Sequence, residues 1–258
     1  YDNGITLFPL MNTIDSVPYI TIKEAYENQL IQISEVSDSG SVPELRVVNF
    51  SQKNILLIDG EELAGAKQNR ILNTSIMVPA KGDIVIPVSC TEEGRWSYDT
   101  PNFFDSGELA SSNIRARKMD HVSKNLKTHK SYASDQGDVW DNIKLMREKE
   151  NILSRTGSMK DIYDHKRESL DMITDHFPIQ DGQKGLLVFS GNGLIGLDVF
   201  SNESATSFLG SLIDKDNVDD SIPLSGVSLA AYVGAIINSS KYLKQLINPS
   251  SKYFVLEN

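Results

Sequence analysis

Near Glu108 the hydrophobic period of this chain changes, and that change limits the architectures open to it. Before it, apolar residues come in short, largely β-branched runs bounded by Gly, Pro, Asn, Asp or Ser: Ile5 to Leu10, Ile31 to Val36, Leu45 to Phe50, Ile55 to Ile58, Ile71 to Val78 and Ile84 to Val88. After it, Met119, Val122 and Leu126, then Val139, Ile143 and Met146, then Met159, Ile162, Tyr163, Leu170, Ile173 and Phe177 recur at helical spacing, punctuated by Gly137 and Gly157. Strands first and helices afterwards predict an α+β fold rather than an alternating α/β one. The 258 residues are read as a single α+β domain: a β-rich part over 1–100, a helical part over 108–178, and a hairpin with helices over 183–258.

Within the first part, Thr21 to Gln29 is the one expected helix, with Thr21 as cap and Glu24 completing a capping box. The unbroken run Ile55-Leu56-Leu57-Ile58 predicts a strand covered on both faces. Pro87 predicts an edge strand, because proline cannot donate to a ladder. In the last third, Leu186 to Ser190 and Leu194 to Phe200 flank Gly191-Asn192-Gly193, a hairpin signature. Helices are expected over Ser201 to Leu212 and Val227 to Leu246, an acidic loop over Asp214 to Asp220, and a strand over Tyr253 to Leu256.

A formal charge of -10 argues against general binding to nucleic acid or to an anionic membrane. Residues Asn113 to Lys130 nevertheless form a basic segment, with six cations against the single acid Asp120. One cysteine excludes an internal disulfide framework, and no Cys/His spacing reads as structural zinc. The longest apolar stretch, Val227 to Ile237, is short of the ~20 residues a spanning helix requires. Tyr1 is not an initiator methionine, which is compatible with a cleaved leader or a trimmed start.

The chemistry concentrates between Asp59 and Trp96. Glu61 and Glu62 leave a strand at a glycine turn, where paired carboxyls suit catalysis or a divalent metal; the plain alternative is a solvated turn. Gly65 and Ala66 precede Lys67, Gln68, Asn69 and Arg70, small residues followed by cations and amides that suit an anionic ligand; the alternative is a polar β-turn. The glycine spacing is not that of a nucleotide-triphosphatase phosphate loop. Arg95 and Trp96 suggest a cation and a stacking platform, with Glu92 beside them. Cys90 has no histidine in sequence reach and reads as a buried filler. Asp135 and Gln136 open a helix; they are read as folding back to complete one site with Glu61, Glu62 and Arg95, or else as an ordinary cap.

The stretches DGEELAGAKQNRILNTSIMVPA, IPVSCTEEGRW and SDQGDVW, with VPELRVVNF before them and GLDVF after, resemble the ARG-and-rhodanese-phosphatase-superfamily-associated protein domain, where ARG stands for ADP-ribosylglycohydrolase. The resemblance carries over to Glu61, Glu62, Lys67, Gln68, Asn69, Arg70, Cys90, Glu92, Arg95, Trp96, Asp135, Gln136 and Trp140. It implies one more short strand after Tyr253 to Leu256, and a link to ADP-ribose or NAD-derived nucleotide metabolism in bacterial conflict systems.

Together with the resemblance, the sequence leads to a cytoplasmic protein that recognises an ADP-ribose-like or other phosphorylated nucleotide, with Glu61 and Glu62 as the candidate catalytic residues should it also process that ligand. Lys67, Gln68, Asn69, Arg70, Glu92, Arg95, Trp96, Asp135 and Gln136 are the expected ligand contacts, with no resident metal and no named cofactor. The alternative is a non-catalytic scaffold or partner subunit of an ADP-ribosylglycohydrolase-type enzyme.

Overall fold

The short apolar runs become strands because each is bounded by residues that end ladders, and the helical periods become helices packed on the wall those strands make. The computed structural model describes residues 5–11, 18–175, 177–190, 193–201 and 205. In chain order the elements are β1 (Ile5–Met11), β2 (Tyr19–Thr21), α1 (Ile22–Glu27), β3 (Ile31–Glu35), β4 (Glu44–Asn49), β5 (Asn54–Leu57), β6 (Glu61–Gly65), β7 (Arg70–Leu72) and β8 (Ile76–Val78). They continue as β9 (Asp83–Cys90), β10 (Phe103–Leu109), α2 (Ser112–His129), α3 (Gln136–Lys149), α4 (Met159–Asp175), β11 (Gln183–Ser190) and β12 (Gly193–Val199). The α+β class holds, with strands concentrated in the N-terminal half, helices in the middle and a hairpin after them.

Six strands close into a barrel in the order β10-β3-β4-β9-β7-β6, and two three-stranded sheets, β1-β11-β12 and β2-β5-β8, stand beside it. The barrel interior holds Ile31, Ile33, Leu45, Val47, Leu63, Leu72, Ile86, Val88 and Phe103, continuous with Ile22 and Ala25 of α1 and with Ile55, Leu57 and Val78 of the small sheet. A second core forms where α2, α3 and α4 cover the barrel, around Ile71, Ile114, Val139, Ile143, Met159, Ile162 and Tyr163. The expected capping box is present: Thr21 accepts from the Glu24 backbone N–H while the Glu24 carboxyl accepts from that of Thr21.

Several expectations need correction. Ile71 to Val78 is two strands in two sheets, because Asn73 to Ser75 break the run: β7 pairs with β6 and β9, β8 with β5. The strand containing Pro87 is not an edge. Pro87 falls where the pairing of β9 with β4 ends, at Glu44, and just before its pairing with β7 begins, at Val88, so the missing donor interrupts neither ladder. Leu56 is half-buried between fully buried Ile55 and Leu57, so β5 alternates rather than being covered equally on both faces. On α2 the buried stripe is Ile114, Lys118 and Val122, while Met119 and Leu126 face solvent. The antiparallel β11–β12 pair confirms the hairpin strands, and β1 adds to the far side of β11. The helices, acidic loop and strand expected after Phe200 lie outside the described residues, Ser201 and Ala205 apart.

Candidate functional site

Strand alternation carries three reactive side chains to one end of the barrel interior. Glu35 lies on the face of β3 that also presents Ile31 and Ile33; Arg70 shares the inner face of β7 with Leu72; Cys90 follows Ile86 and Val88 on β9 and pairs in register with Arg70. Arg70 is fully buried. Its Nη1 donates to the Gln68 carbonyl at 2.8 Å and to Gln68 Oε1 at 3.1 Å. Its Nε and Nη2 have no hydrogen-bond partner, and neither has either carboxyl oxygen of buried Glu35, although Nη2 and Glu35 Oε1 are only 3.9 Å apart. Burial lowers the Arg70 pKa, an effect that Cys90 and Glu35 oppose. Burial likewise pushes the Cys90 thiol up to about 11, so it is no thiolate at neutral pH.

Over this end lies an aromatic surface. Lys67 Nζ stands 5.6 Å from the centroid of the Trp96 ring and 5.1 Å from that of Tyr98, and Arg70 Cζ stands 5.6 Å from that of Trp96. Two cations therefore meet at one half-exposed indole. The Lys67 ammonium also donates to the Asp38 carbonyl at 2.5 Å, tying down the β3–β4 loop.

The turn joining β6 to β7 is held rigid by the other polar residues of the central stretch. Gly65, at φ +105°, and Ala66, at φ 40°, make the turn. Arg95 clamps it, donating to the carbonyls of Gly65 (3.2 Å), Ala66 (2.6 Å) and Ser97 (3.1 Å), to Asn69 Oδ1 (3.0 Å) and to Glu92 Oε2 (2.8 Å). The Gln68 amide donates to the Glu92 carbonyl. Asn69 Oδ1 accepts from the Gly65 N–H at 3.0 Å. Burial works against ionisation of Glu92, but hydrogen bonds from Arg95 and Thr156 hold its pKa below the usual carboxyl value. Arg95, Glu92, Gln68 and Asn69 thus position the loop that carries Lys67 and Arg70.

Glu61 and Glu62 belong to strand β6, whose residues are all buried, not to a turn. Glu61 shares the face of Leu63 and accepts the Ile58 N–H at 2.7 Å; burial raises its pKa well above the ordinary range. Glu62 points the other way, into the seam under α4, where Thr91 donates to its Oε1 at 2.7 Å. Burial lifts the Glu62 pKa to about 8 against the hydrogen bond from Thr91, with Glu108 adding to the rise and Lys160 opposing it. The two side chains do not form a shared carboxyl pair, because successive strand residues face opposite sides. No group of three or more His, Cys, Asp or Glu among the described residues is placed to hold a metal ion.

The fold-back of the α3 start on the central stretch occurs through Gln136. Its amide accepts the Cys90 N–H at 2.7 Å and donates to the Cys90 carbonyl at 2.8 Å, in the manner of a neighbouring strand. Asp135 instead caps α3, accepting the Asp138 N–H at 3.1 Å. Among the described residues it forms no ion pair with Lys67, Arg70 or Arg95.

Two participants escape a motif reading. Glu35 carries a sequence signal, an acid on the apolar face of a period-two run, and so does Lys118, a cation between Ile114 and Val122 on a helical stripe. Lys118 makes a short contact with Asp59 and donates to the Asn73 carbonyl at 3.1 Å. Asp59 is also within 3.5 Å of Arg115 Nε.

Residues 2–212 match the profile of the ARG and Rhodanese-Phosphatase-superfamily-associated Protein domain. The chain belongs to that family. The matched range takes in the whole barrel, the three covering helices and the hairpin, so the family's domain contains every residue of the barrel-end cluster. No curated sequence and no solved structure is significantly similar to the chain. No helix among the described residues is long and apolar enough to cross a membrane.

Proposed function

We propose that this family member recognises a phosphorylated nucleotide of the ADP-ribose type at the end of the barrel. One observation carries the reading: Lys67 and the buried, incompletely bonded Arg70 both stand 5.6 Å from the centroid of the half-exposed Trp96 ring. A buried guanidinium with unmatched donors is costly unless something accepts from it, and an anion beside a stacking surface does so in a water-poor setting. Gln68, Asn69, Glu92 and Arg95 serve by fixing the loop, and Gln136 by bracing β9. Processing requires in addition that Glu62, the carboxyl kept protonated near neutral pH, reach the ligand, and for that the seam between β6 and α4 must open.

The test is a thermal-shift series with phosphorylated nucleotides on the wild type and on Lys67→Ala. Stabilisation in the wild type that Lys67→Ala loses supports the reading; absence of any shift with every phosphorylated compound ends it. A second reading, a partner subunit beside an ADP-ribosylglycohydrolase-type protein, draws on the association stated in the family's description and on the exposed Trp96, Tyr98 and Phe104. Co-purification of such a protein with the wild type, lost on Tyr98→Ser, would favour it.

A further inference from the structure

Glu35 poses a problem for any purely anionic ligand. Its carboxyl is buried, with the side chain 3% exposed; neither oxygen has a hydrogen-bond partner, and the ion pair of Oε1 with Arg70 Nη2, at 3.9 Å, is too long for a hydrogen bond. The barrel end therefore presents, side by side, donors without acceptors on Arg70 and acceptors without donors on Glu35. A phosphate satisfies the first set and is repelled by the second. The complementary ligand edge is a carbonyl flanked by N–H groups.

The surroundings fit a flat group carrying that edge. Gly40, at φ +78° in the loop that Lys67 ties down, roofs the position: a Cβ there would stand 3.2 Å from Lys67 Cδ, 3.3 Å from Trp96 Cζ2 and 3.4 Å from Glu35 Oε2. A side chain at position 40 would strain the backbone at φ +78° and crowd these groups by a few tenths of an ångström, and the indole supplies the stacking face.

We infer that Glu35 and Arg70 together read the amide edge of a planar heterocycle. The carbonyl oxygen accepts from Arg70, the adjacent N–H groups donate to Glu35, the ring stacks on Trp96, and Lys67 takes the phosphate. Guanine and the carboxamide of nicotinamide share this chemistry. The inference rests on the nucleotide reading above, since Lys67 still takes the phosphate, and narrows it: adenine carries no carbonyl, so the group held inside the barrel is a guanine or a nicotinamide and not the adenine of ADP-ribose.

The experiment is isothermal titration of the full chain with four compounds that all carry a 5′-phosphate: guanosine monophosphate, nicotinamide mononucleotide, purine riboside monophosphate, which stacks but has no amide edge, and ribose 5-phosphate. The expected result is that guanosine monophosphate or nicotinamide mononucleotide binds at least about tenfold tighter than both controls, and whichever does so names the source of the edge. Glu35→Gln, nearly isosteric, should bring that ligand to within about threefold of the controls, because one acceptor has become a donor. Equal binding of all four overturns this inference and leaves only the phosphate recognition of the nucleotide reading standing; binding of none overturns this inference, and the thermal-shift series above then decides the nucleotide reading. A wild-type preference that survives in folded Glu35→Gln also overturns it, and the wild-type panel decides the matter even should that variant fail to fold.

Discussion

At the seam between the barrel and α2, Lys118 and Asp59 are in short contact, Lys118 has a second acceptor in the Asn73 carbonyl, and Asp59 a second cation in Arg115. At the barrel end, Arg70 and Glu35 are buried as deeply, yet stand 3.9 Å apart with five polar positions between them unequally served: Nη1 is bonded, while Nε, Nη2 and both carboxyl oxygens are not. Both arrangements take charges out of water, at a cost recovered only by close pairing and full hydrogen bonding. The first is closed and so explains itself as structure. The second is left open, and an open buried pair has a use for a ligand.

The sharpest way to break this contrast is to remove a partner from each pair. Lys118→Met should destabilise by about 3 kcal/mol in chemical denaturation, since it leaves Asp59 buried with Arg115 alone. A loss under roughly 1 kcal/mol would mean that the closed pair is not structural in the sense argued.

Glu62 gives the next effect, and it depends on pH. Its folded pKa, about 8, lies above its ordinary value of 4.5, so the folded state binds the proton more tightly than the unfolded chain. The stability tied to that proton is complete below about pH 4.5 and is lost as pH rises through about 8, on the order of a few kcal/mol in all. Thr91, Ser106, Glu108 and Lys160 face this carboxyl, and the raised pKa of Glu108 adds a slope of the same sign. Glu62→Gln should flatten the fall measured between those limits; an unchanged slope would assign it to other groups.

Cys90→Ser should cost about 1–2 kcal/mol, because a hydroxyl replaces a buried thiol on the barrel's inner face. The native thiol should react slowly with a labelling reagent. Rapid labelling would show the barrel end open to solvent.

The smallest effect is expected at Glu35. Without ligand, Glu35→Gln gives up no hydrogen bond but does remove the carboxylate 3.9 Å from buried Arg70, so it should cost about 1 kcal/mol, well short of Lys118→Met. A loss as large as that of Lys118→Met would make the two pairs equivalent and erase the distinction.

Much of the fold was legible because it obeys local rules. The capping box at Thr21 and Glu24, the pairing of β11 with β12, and the 139, 143, 146 stripe of α3 all follow from spacing alone. What failed was decided by distant parts of the chain. Pro87 is accommodated because two ladders change over beside it, and β6 is a strand because β10, more than 30 residues on, pairs with it from Glu61↔Leu109 to Gly65↔Phe103. The site was half legible. Lys67, Arg70 and Trp96 stood out as chemically capable residues in one stretch, but Arg95 and Asn69 looked the same and form the brace. Glu35 could have been found from IQISE, where alternation sets an acid in line with two isoleucines; the distinction between a braced and an open arginine could not, since it depends on which carbonyls the folded turn presents.

The most direct measurement uses the indole itself. Trp140→Phe leaves Trp96 as the only tryptophan, so its fluorescence reports the barrel end alone. Titration with a 5′-nucleotide should change that emission saturably, and Lys67→Ala should shift the midpoint at least about tenfold to weaker binding. An emission that stays constant through every phosphorylated nucleotide, while the protein remains folded, would contradict the claim that Lys67, Arg70 and Trp96 form a binding site.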